Sequence, residues 1–330
     1  MVSTSKLIRE PLQPTGCLDK YDYFEVTPCI GRQYTNLSLR DMLNAPNSDE
    51  MIREFAIIVS TRGVVFLRDQ ELTLEEQKTL VKKMGWLTGR EKEAGLHIHP
   101  SVRAKTDMIV HEEAQNDPEA FLVSNRLWKL FFNAPTFKNA EEAKLAKKNR
   151  NGAMQWHTEY IVFVFNLANI SLMFEQVPAD YSFLRMHIHP PSGGDTLWAS
   201  GVEMYNRMST KMQKYLQGLT LTADQTDNLV SSAKKGGFEL WTEPRGHPLN
   251  SGTDFTPTHP VVRTNPVTGL NSIYGVGLHV KKINDVTKAE SDYLMKMFLD
   301  TVTQNHDLQV RFRWLPKSCA IWDNRSVTLN

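Results

Sequence analysis

The chain has 330 residues, 38 basic against 37 acidic side chains, a net charge of +1 and 41% hydrophobic residues. That length buries a full core in one large domain or two ordinary ones, and the even charge leaves no electrostatic footprint for nucleic acid or an anionic membrane. No apolar run is long enough to cross a bilayer, and the start MVSTSKLIREPLQ lacks the apolar core of a secretory leader. Cys17, Cys29 and Cys319 form no CxxC pair, so a reducing, cytoplasmic setting is expected rather than a zinc cage or disulfide framework.

Residues 1–35 are turn-rich and read as an arm leading into a single domain over 36–330. SDEMIREFAIIVSTRG (48–63) opens on a Ser cap signal, carries apolar residues at helical spacing and closes on Gly63, which predicts a helix. VVFLRD (64–69) is a short β-branched run and so a strand. TLEEQKTLVKKMGWL (73–87) begins with Thr-x-x-Glu, whose two side chains satisfy backbone N–H groups left open at a helix start. GREKEAGLHIHPSVR reads as loop and EEAKLAKKNRNGA as an exposed charged stretch.

From about 153 the texture changes to short apolar runs broken by Pro, Gly and Asn. YSFLRMHIHPP, GDTLWAS, HPVVRTNP, NSIYGVGLHV, QVRFRWLP and CAIWDNRSV each read as a strand bounded by turn signals. SGVEMYNRMSTKMQKYLQGL and TKAESDYLMKMFLDTVTQ read as two helices between them. Many short strands in one region predict a mainly β, α+β fold: a sandwich or jelly roll with helices on its outside.

In MQWHTEYIVF (154–163), His157 and Glu159 project the same way if the segment is extended, because strand side chains alternate with period two. An imidazole and a carboxylate suit a divalent metal, and one further histidine would complete the facial triad of non-haem Fe(II) oxygenases. H-x-E alone is a weak signal, and without further context a surface His beside a solvated Glu is the better reading.

Three further stretches give it context. PPSGGDTLWASGVEMY (190–205), HPVVRTNPVTG (259–269) and VRFRWLPKSCAIWDNR (310–325) follow WHTE in order, and RGVVFLRDQELTLEEQ (63–78) precedes it. Together these motifs resemble the taurine dioxygenase (TauD/TfdA-like) family of Fe(II)- and 2-oxoglutarate-dependent dioxygenases, fungal-type, over most of residues 22–325. The resemblance implies a cupin-like double-stranded β-helix with Fe(II) at its open end and 2-oxoglutarate and O2 as co-substrates. It implies decarboxylation to succinate coupled to hydroxylation of a small anionic substrate, which for an alkylsulfonate such as taurine would release sulfite and an aldehyde. His157 matches the first iron ligand, and Glu159 stands where most members carry Asp. Thr196 matches the residue that hydrogen-bonds the 2-oxoglutarate carboxylate, and Trp198 is expected to pack beside it. Ala153 stands where taurine-using relatives carry an asparagine that helps hold the amine.

The family's distal histidine follows Trp-Asp-Asn-Arg by four residues. Here Trp322–Arg325 is intact and that position is Leu329. The family's arginine for the far carboxylate of 2-oxoglutarate has no counterpart, so the β-helix is expected to be incomplete at the C-terminus. The alternative to an oxygenase is therefore a catalytically impaired member or binding protein. His187, His189 and His279, with Arg325, are candidates for pocket residues or a substitute ligand, and His97 and His99 for the border of the substrate entrance. His111, His247, His259 and His306 show no ligand spacing. Tyr160–Ser171 (YIVFVFNLANIS) interrupts the family pattern and is read as either a rim insertion or translated intron. A small-molecule substrate and a homo-oligomer are expected, with no nucleic-acid or membrane partner.

Overall fold

The computed structural model describes residues 10–102, 117–120, 156, 172–187, 192–277 and 279–330. The charged stretch at 141–153 and the segment 160–171 lie outside them.

Local signals near the N-terminus fold as the sequence dictates, except that Ser48 is the first helical residue after Asn47 rather than the cap. Helix α1 (Leu39–Asn44) precedes α2 (Ser48–Arg62), which runs into strand β3 (Val64–Leu67) through Gly63. Gly63 has φ +74°, and a Cβ there would sit 2.7 Å from Val327 Cγ1, so only glycine allows so abrupt a turn. Helix α3 (Leu74–Leu87) starts on the expected capping box: Glu76 N donates to Thr73 Oγ1 at 3.2 Å and Thr73 N to Glu76 Oε2 at 2.7 Å.

Part of the expected arm is instead built into the fold. Strands β1 (Tyr23–Glu25) and β2 (Arg32–Tyr34) form a hairpin, and β2 adds in parallel to β3. Three-residue strands carry too little periodicity to be read in advance.

A five-stranded sheet runs β1-β2-β3-β12-β4, with β4 at Tyr181–Arg185 and β12 at Cys319–Asp323. A second sheet runs β11-β5-β13, from Gln309–Phe312, Thr196–Ser200 and Val327–Leu329. A third runs β10-β6-β7, from Val280–Ile283, Thr220–Ala223 and Thr258–Pro260, and β8 (Val262–Thr264) pairs with β9 (Asn271–Ile273).

The period of two sorts the strand residues between layers. Val64, Phe66, Ala320 and Trp322 face the second sheet, where they meet Trp198, Val310, Phe312, Val327 and Leu329. Val65, Leu67, Cys319 and Ile321 face the other way, onto α1, α2 and α3. Both faces of β3 and β12 are buried, which is why these strands are apolar runs without alternation. Phe66 stacks on Phe312 at 4.1 Å and meets Trp198 edge-on at 5.3 Å, while Trp198 meets Trp322 at 5.7 Å. Ala199, on the opposite face of β5 from Trp198, joins a third cluster with Leu221, Tyr274 and Phe298. The expected sheet-on-sheet interior with outer helices is therefore present.

The helices of the second half differ in detail. The run after Gly201 divides into α4 (Gly201–Asn206) and α5 (Thr210–Gln217), because Ser209 accepts from Met212 N at 3.3 Å and caps a new start. Helix α6 (Thr226–Gly236) was not anticipated, although Lys234 and Lys235 ahead of a left-handed Gly237 form a stop signal. Helix α7 (Lys288–Gln304) begins on a second capping box, Thr287 with Glu290.

Candidate functional site

The Trp322–Arg325 motif lies where β12 ends, and its polar residues tie three parts of the chain together. The Asp323 carboxylate is fully buried and accepts from Ser60 Oγ (2.6 Å), Asn265 Nδ2 (2.9 Å) and Arg325 Nη2 (2.7 Å). Its other oxygen accepts from the Arg325 backbone N and Nε, at 2.9 and 2.8 Å. Burial alone would raise this carboxyl, but Arg325 and the hydrogen bonds outweigh it and hold it below the ordinary range. Asn324 Nδ2 donates to Ala179 O (3.1 Å) and Ser182 Oγ (2.9 Å). Arg325, a candidate pocket residue from the sequence, spends its guanidinium on Asp323 and Asp180 and lies over the Tyr181 ring at 4.9 Å.

Thr196 opens β5 and is fully buried. Its Oγ1 accepts from Trp314 Nε1 at 3.0 Å. A hydroxyl has one donor and two acceptor positions, so the Thr196 O–H remains able to donate to a carboxylate. Trp198 packs two residues along the same face, with its ring 6.3 Å from that of Trp314. Leu329, opposite Trp198 on β13, is buried in the same apolar cluster.

The histidine candidates are scattered. His157, Glu159, His189 and His111 lie outside the described residues. Trp156, just before the candidate ligand pair, is buried in the cluster that holds Met173 and Tyr274. His187 is exposed just past β4, whereas His279 is buried just before β10, a strand of a different sheet. Among the described residues no group of three His, Cys, Asp or Glu side chains is placed to hold a metal ion. His259, without ligand spacing in the sequence, is an anchor: its Nε2 donates to Met173 O at 2.9 Å. Burial, followed by the charge of Arg263, pushes its pKa down to about 4.

A second buried ionic cluster joins the loop that carries His97 to the segment that follows 171. Glu175 takes a two-pronged contact from Arg245, Nε to Oε1 at 2.6 Å and Nη2 to Oε2 at 2.9 Å. Arg245 Nη1 also donates to Trp241 O and Gly252 O, both at 3.0 Å, so the guanidinium organises its own loop. His97 Nε2 lies 2.9 Å from Glu175 Oε1. Burial would raise Glu175, but His97 and Arg245 outweigh it and keep the carboxylate ionised. Burial lowers His97 despite that carboxylate, and lowers His99 further with help from His97 and Arg245. Phe174 stands edge-on to both imidazoles, at 6.3 Å from His97 and 6.0 Å from His99. Neither Glu175 nor Arg245 stood out in the sequence. They are 70 positions apart and belong to no local motif.

Comparison with known proteins gives this arrangement a context. The family described as "Taurine catabolism dioxygenase TauD, TfdA family" matches residues 22–328. The alpha-ketoglutarate-dependent dioxygenase btcD of Neocamarosporium betae is 41% identical, over 97% of this chain and 87% of its own. The alpha-ketoglutarate-dependent dioxygenase oryG of Aspergillus oryzae is 37% identical, over 99% and 87%. An alpha-ketoglutarate-dependent sulfonate dioxygenase of Saccharomyces cerevisiae is 28% identical, over 92% of this chain and 60% of its own. A taurine dioxygenase structure from Burkholderia xenovorans shares the fold with a TM-score of 0.59 at 21% identity, covering 94% of this chain and 83% of that one. The structure of AAD-2 in complex with Mn(II) and N-oxalylglycine does so at 0.57 and 18%, covering 94% and 90%. With its motifs in family order and its sheets packed in the family's fold, the chain belongs to the TauD/TfdA family of 2-oxoglutarate-dependent dioxygenases.

Proposed function

We propose that the chain hydroxylates a small anionic substrate, with alkylsulfonates as the first class to test. In this family Fe(II), 2-oxoglutarate and O2 supply the oxidising power. His157 and Glu159 would hold the iron, and Thr196 would hold the 2-oxoglutarate carboxylate. The observation that carries the reading is the buried Thr196 hydroxyl, fixed by Trp314 on its acceptor side and open as a donor on the other. The yeast relative supports a sulfonate by its name, and Ala153 counts against taurine in particular. On a sulfonate the products would be sulfite and an aldehyde, with succinate and CO2. The setting proposed is cytoplasmic and the assembly a homo-oligomer; no helix among the described residues is long and apolar enough to cross a membrane.

One observation favours a second reading, a member that keeps the pocket without productive iron chemistry. Leu329 stands at the distal-histidine spacing and is packed among Trp198, Trp322 and Val327. Anaerobic titration with Fe(II) and 2-oxoglutarate decides between them. A visible charge-transfer band on chelation, followed by sulfite release from an alkylsulfonate panel, is the expected result. Folded protein that gives no band would leave the binding-protein reading.

A further inference from the structure

Residues 10–22 do more than lead into the first hairpin. Glu54, in the middle of α2, is a carboxylate only 2% exposed, and its partners lie in this arm. One oxygen accepts from Thr15 N at 2.5 Å, Thr15 Oγ1 at 2.7 Å and Gly16 N at 2.8 Å. Burial would raise this carboxyl, but the hydrogen bonds outweigh it and hold it below the ordinary range. Arg53, beside it on α2, donates from Nη1 to Gln13 O at 3.1 Å.

The other end of the same stretch is fixed elsewhere. Leu12 N donates to Val267 O at 2.8 Å, and a Cβ on Gly269 would come within 2.9 Å of Pro11 Cγ. The arm therefore spans from α2 to the turn between β8 and β9. That turn carries the buried Asn265, whose Nδ2 donates to Asp323 Oδ2 at 2.9 Å and Ser326 Oγ at 2.8 Å, and whose Oδ1 accepts from Val267 N at 2.9 Å. Ser60, later on α2, reaches the same Asp323 oxygen at 2.6 Å. The contacts close a ring that runs from Glu54 through the arm, the turn and Asp323 to Ser60, and back along the helix.

Glu54, Ser60, Asn265, Val267 and Asp323 are all buried. The arm is different: Pro11, Gln13, Pro14 and Thr15 are exposed and Leu12 is half-buried. It is the link of the ring that can open without unpacking the core.

We infer that residues 11–16 are a latch on the corner between β12 and β13. Docked on Glu54, they press the 265–269 turn against Asp323 and Ser326. Released, they leave the turn without one of its two holds. A protease or binding partner that takes this exposed stretch would therefore act on the corner. From there β13 pairs with β5, the strand that Thr196 opens, so the latch reaches the proposed co-substrate contact. The latch itself stands apart from the oxygenase reading.

The test is hydrogen–deuterium exchange by mass spectrometry on the full-length chain, comparing the wild type with Thr15→Asp. Thr15 is exposed, so the substitution spares the core, but it sets a second carboxylate against Glu54 and drives the arm off by like-charge repulsion. Exchange in peptides covering 265–270 and 324–329 is expected to rise about tenfold, with helix α7 unchanged. Leu12→Pro opens the other end, because it deletes the N–H that reaches Val267 O and leaves the Glu54 contacts in place. It is expected to raise exchange in the 265–270 turn. Wild-type exchange at 265–270 in both variants would overturn the latch, whether or not residues 10–19 open. An equal rise in α7 would overturn it too, since the arm would then belong to one cooperative core. Neither readout depends on iron, co-substrate or turnover, so failure here is distinguishable from failure of the proposed function.

Discussion

Arg325–Asp323 and Arg245–Glu175 are both buried arginine–carboxylate pairs, yet they are built differently. The first joins residues two apart at the end of a central strand, and Ser60, Asn265 and a backbone N–H occupy what Arg325 leaves of the carboxylate. The second joins two loops 70 positions apart, and shares one carboxylate oxygen with an imidazole that still reaches the surface. A buried charge whose every position is filled serves to hold the fold. One shared with a partly accessible ring ties loops together instead.

Removing one partner should destabilise either pair, and removing both from the second should separate them. Asp323→Ala strands Arg325 and leaves Ser60 and Asn265 without their acceptor, so a loss of about 3–5 kcal/mol, or insoluble protein, is expected in urea unfolding. Arg245→Met should cost a similar ~3–5 kcal/mol by itself, because Glu175 is left charged and buried. Adding Glu175→Leu should recover most of that loss. If the double variant is no more stable than the single one, the second pair is as deeply structural as the first and the contrast fails.

Acid should act through the buried histidines before it reaches either ion pair, whose carboxylates are held below their ordinary range. His259 has its pKa lowered from 6.5 to about 4, so the folded protein resists a proton that the unfolded chain accepts. Its contribution is complete above pH 6.5 and is lost as the pH falls towards 4, roughly 3 kcal/mol over that window. His97 and His99 shift in the same direction and add to it. Unfolding midpoints at pH 7.5 and 4.5 should differ clearly in the wild type and less in His259→Gln. A flat profile in both would show that these imidazoles are not held neutral.

The smallest effect is expected inside the sandwich. Trp314→Phe keeps the ring but deletes the donor to Thr196, for about 1 kcal/mol of stability. On the proposed function it should also weaken 2-oxoglutarate binding, measured by calorimetry. Unchanged binding would remove Thr196 from the site.

What could be read in advance was local. The Thr73 capping box, the Gly63 stop and the apolar runs of β4, β5, β11 and β12 are signals contained in a few residues and formed where the sequence placed them. HPVVRTNP and NSIYGVGLHV, each read as one strand, are instead broken into β7 with β8 and into β9 with the start of β10. The β1–β2 hairpin and α6 were not read, the first because its strands are too short for periodicity and the second because its cap lacks a side-chain hydrogen bond. Arg325 was legible as part of a motif, but its partners Asp180 and Tyr181 come from a distant strand and its edge. Glu175 and Arg245 had no signal, since their pairing exists only once two irregular loops have met.

The position of β12 has a temporal consequence. It enters between β3 and β4, pairing Cys319 with both Leu67 and Arg185, and Asp323 meets Ser60 across 263 positions. During synthesis the first strand and its helices emerge long before the strand that completes their sheet. Until β12 arrives, the edges of β3 and β4 remain open to other chains. Such long-range closure slows folding and leaves those edges exposed to association with other chains until it is complete.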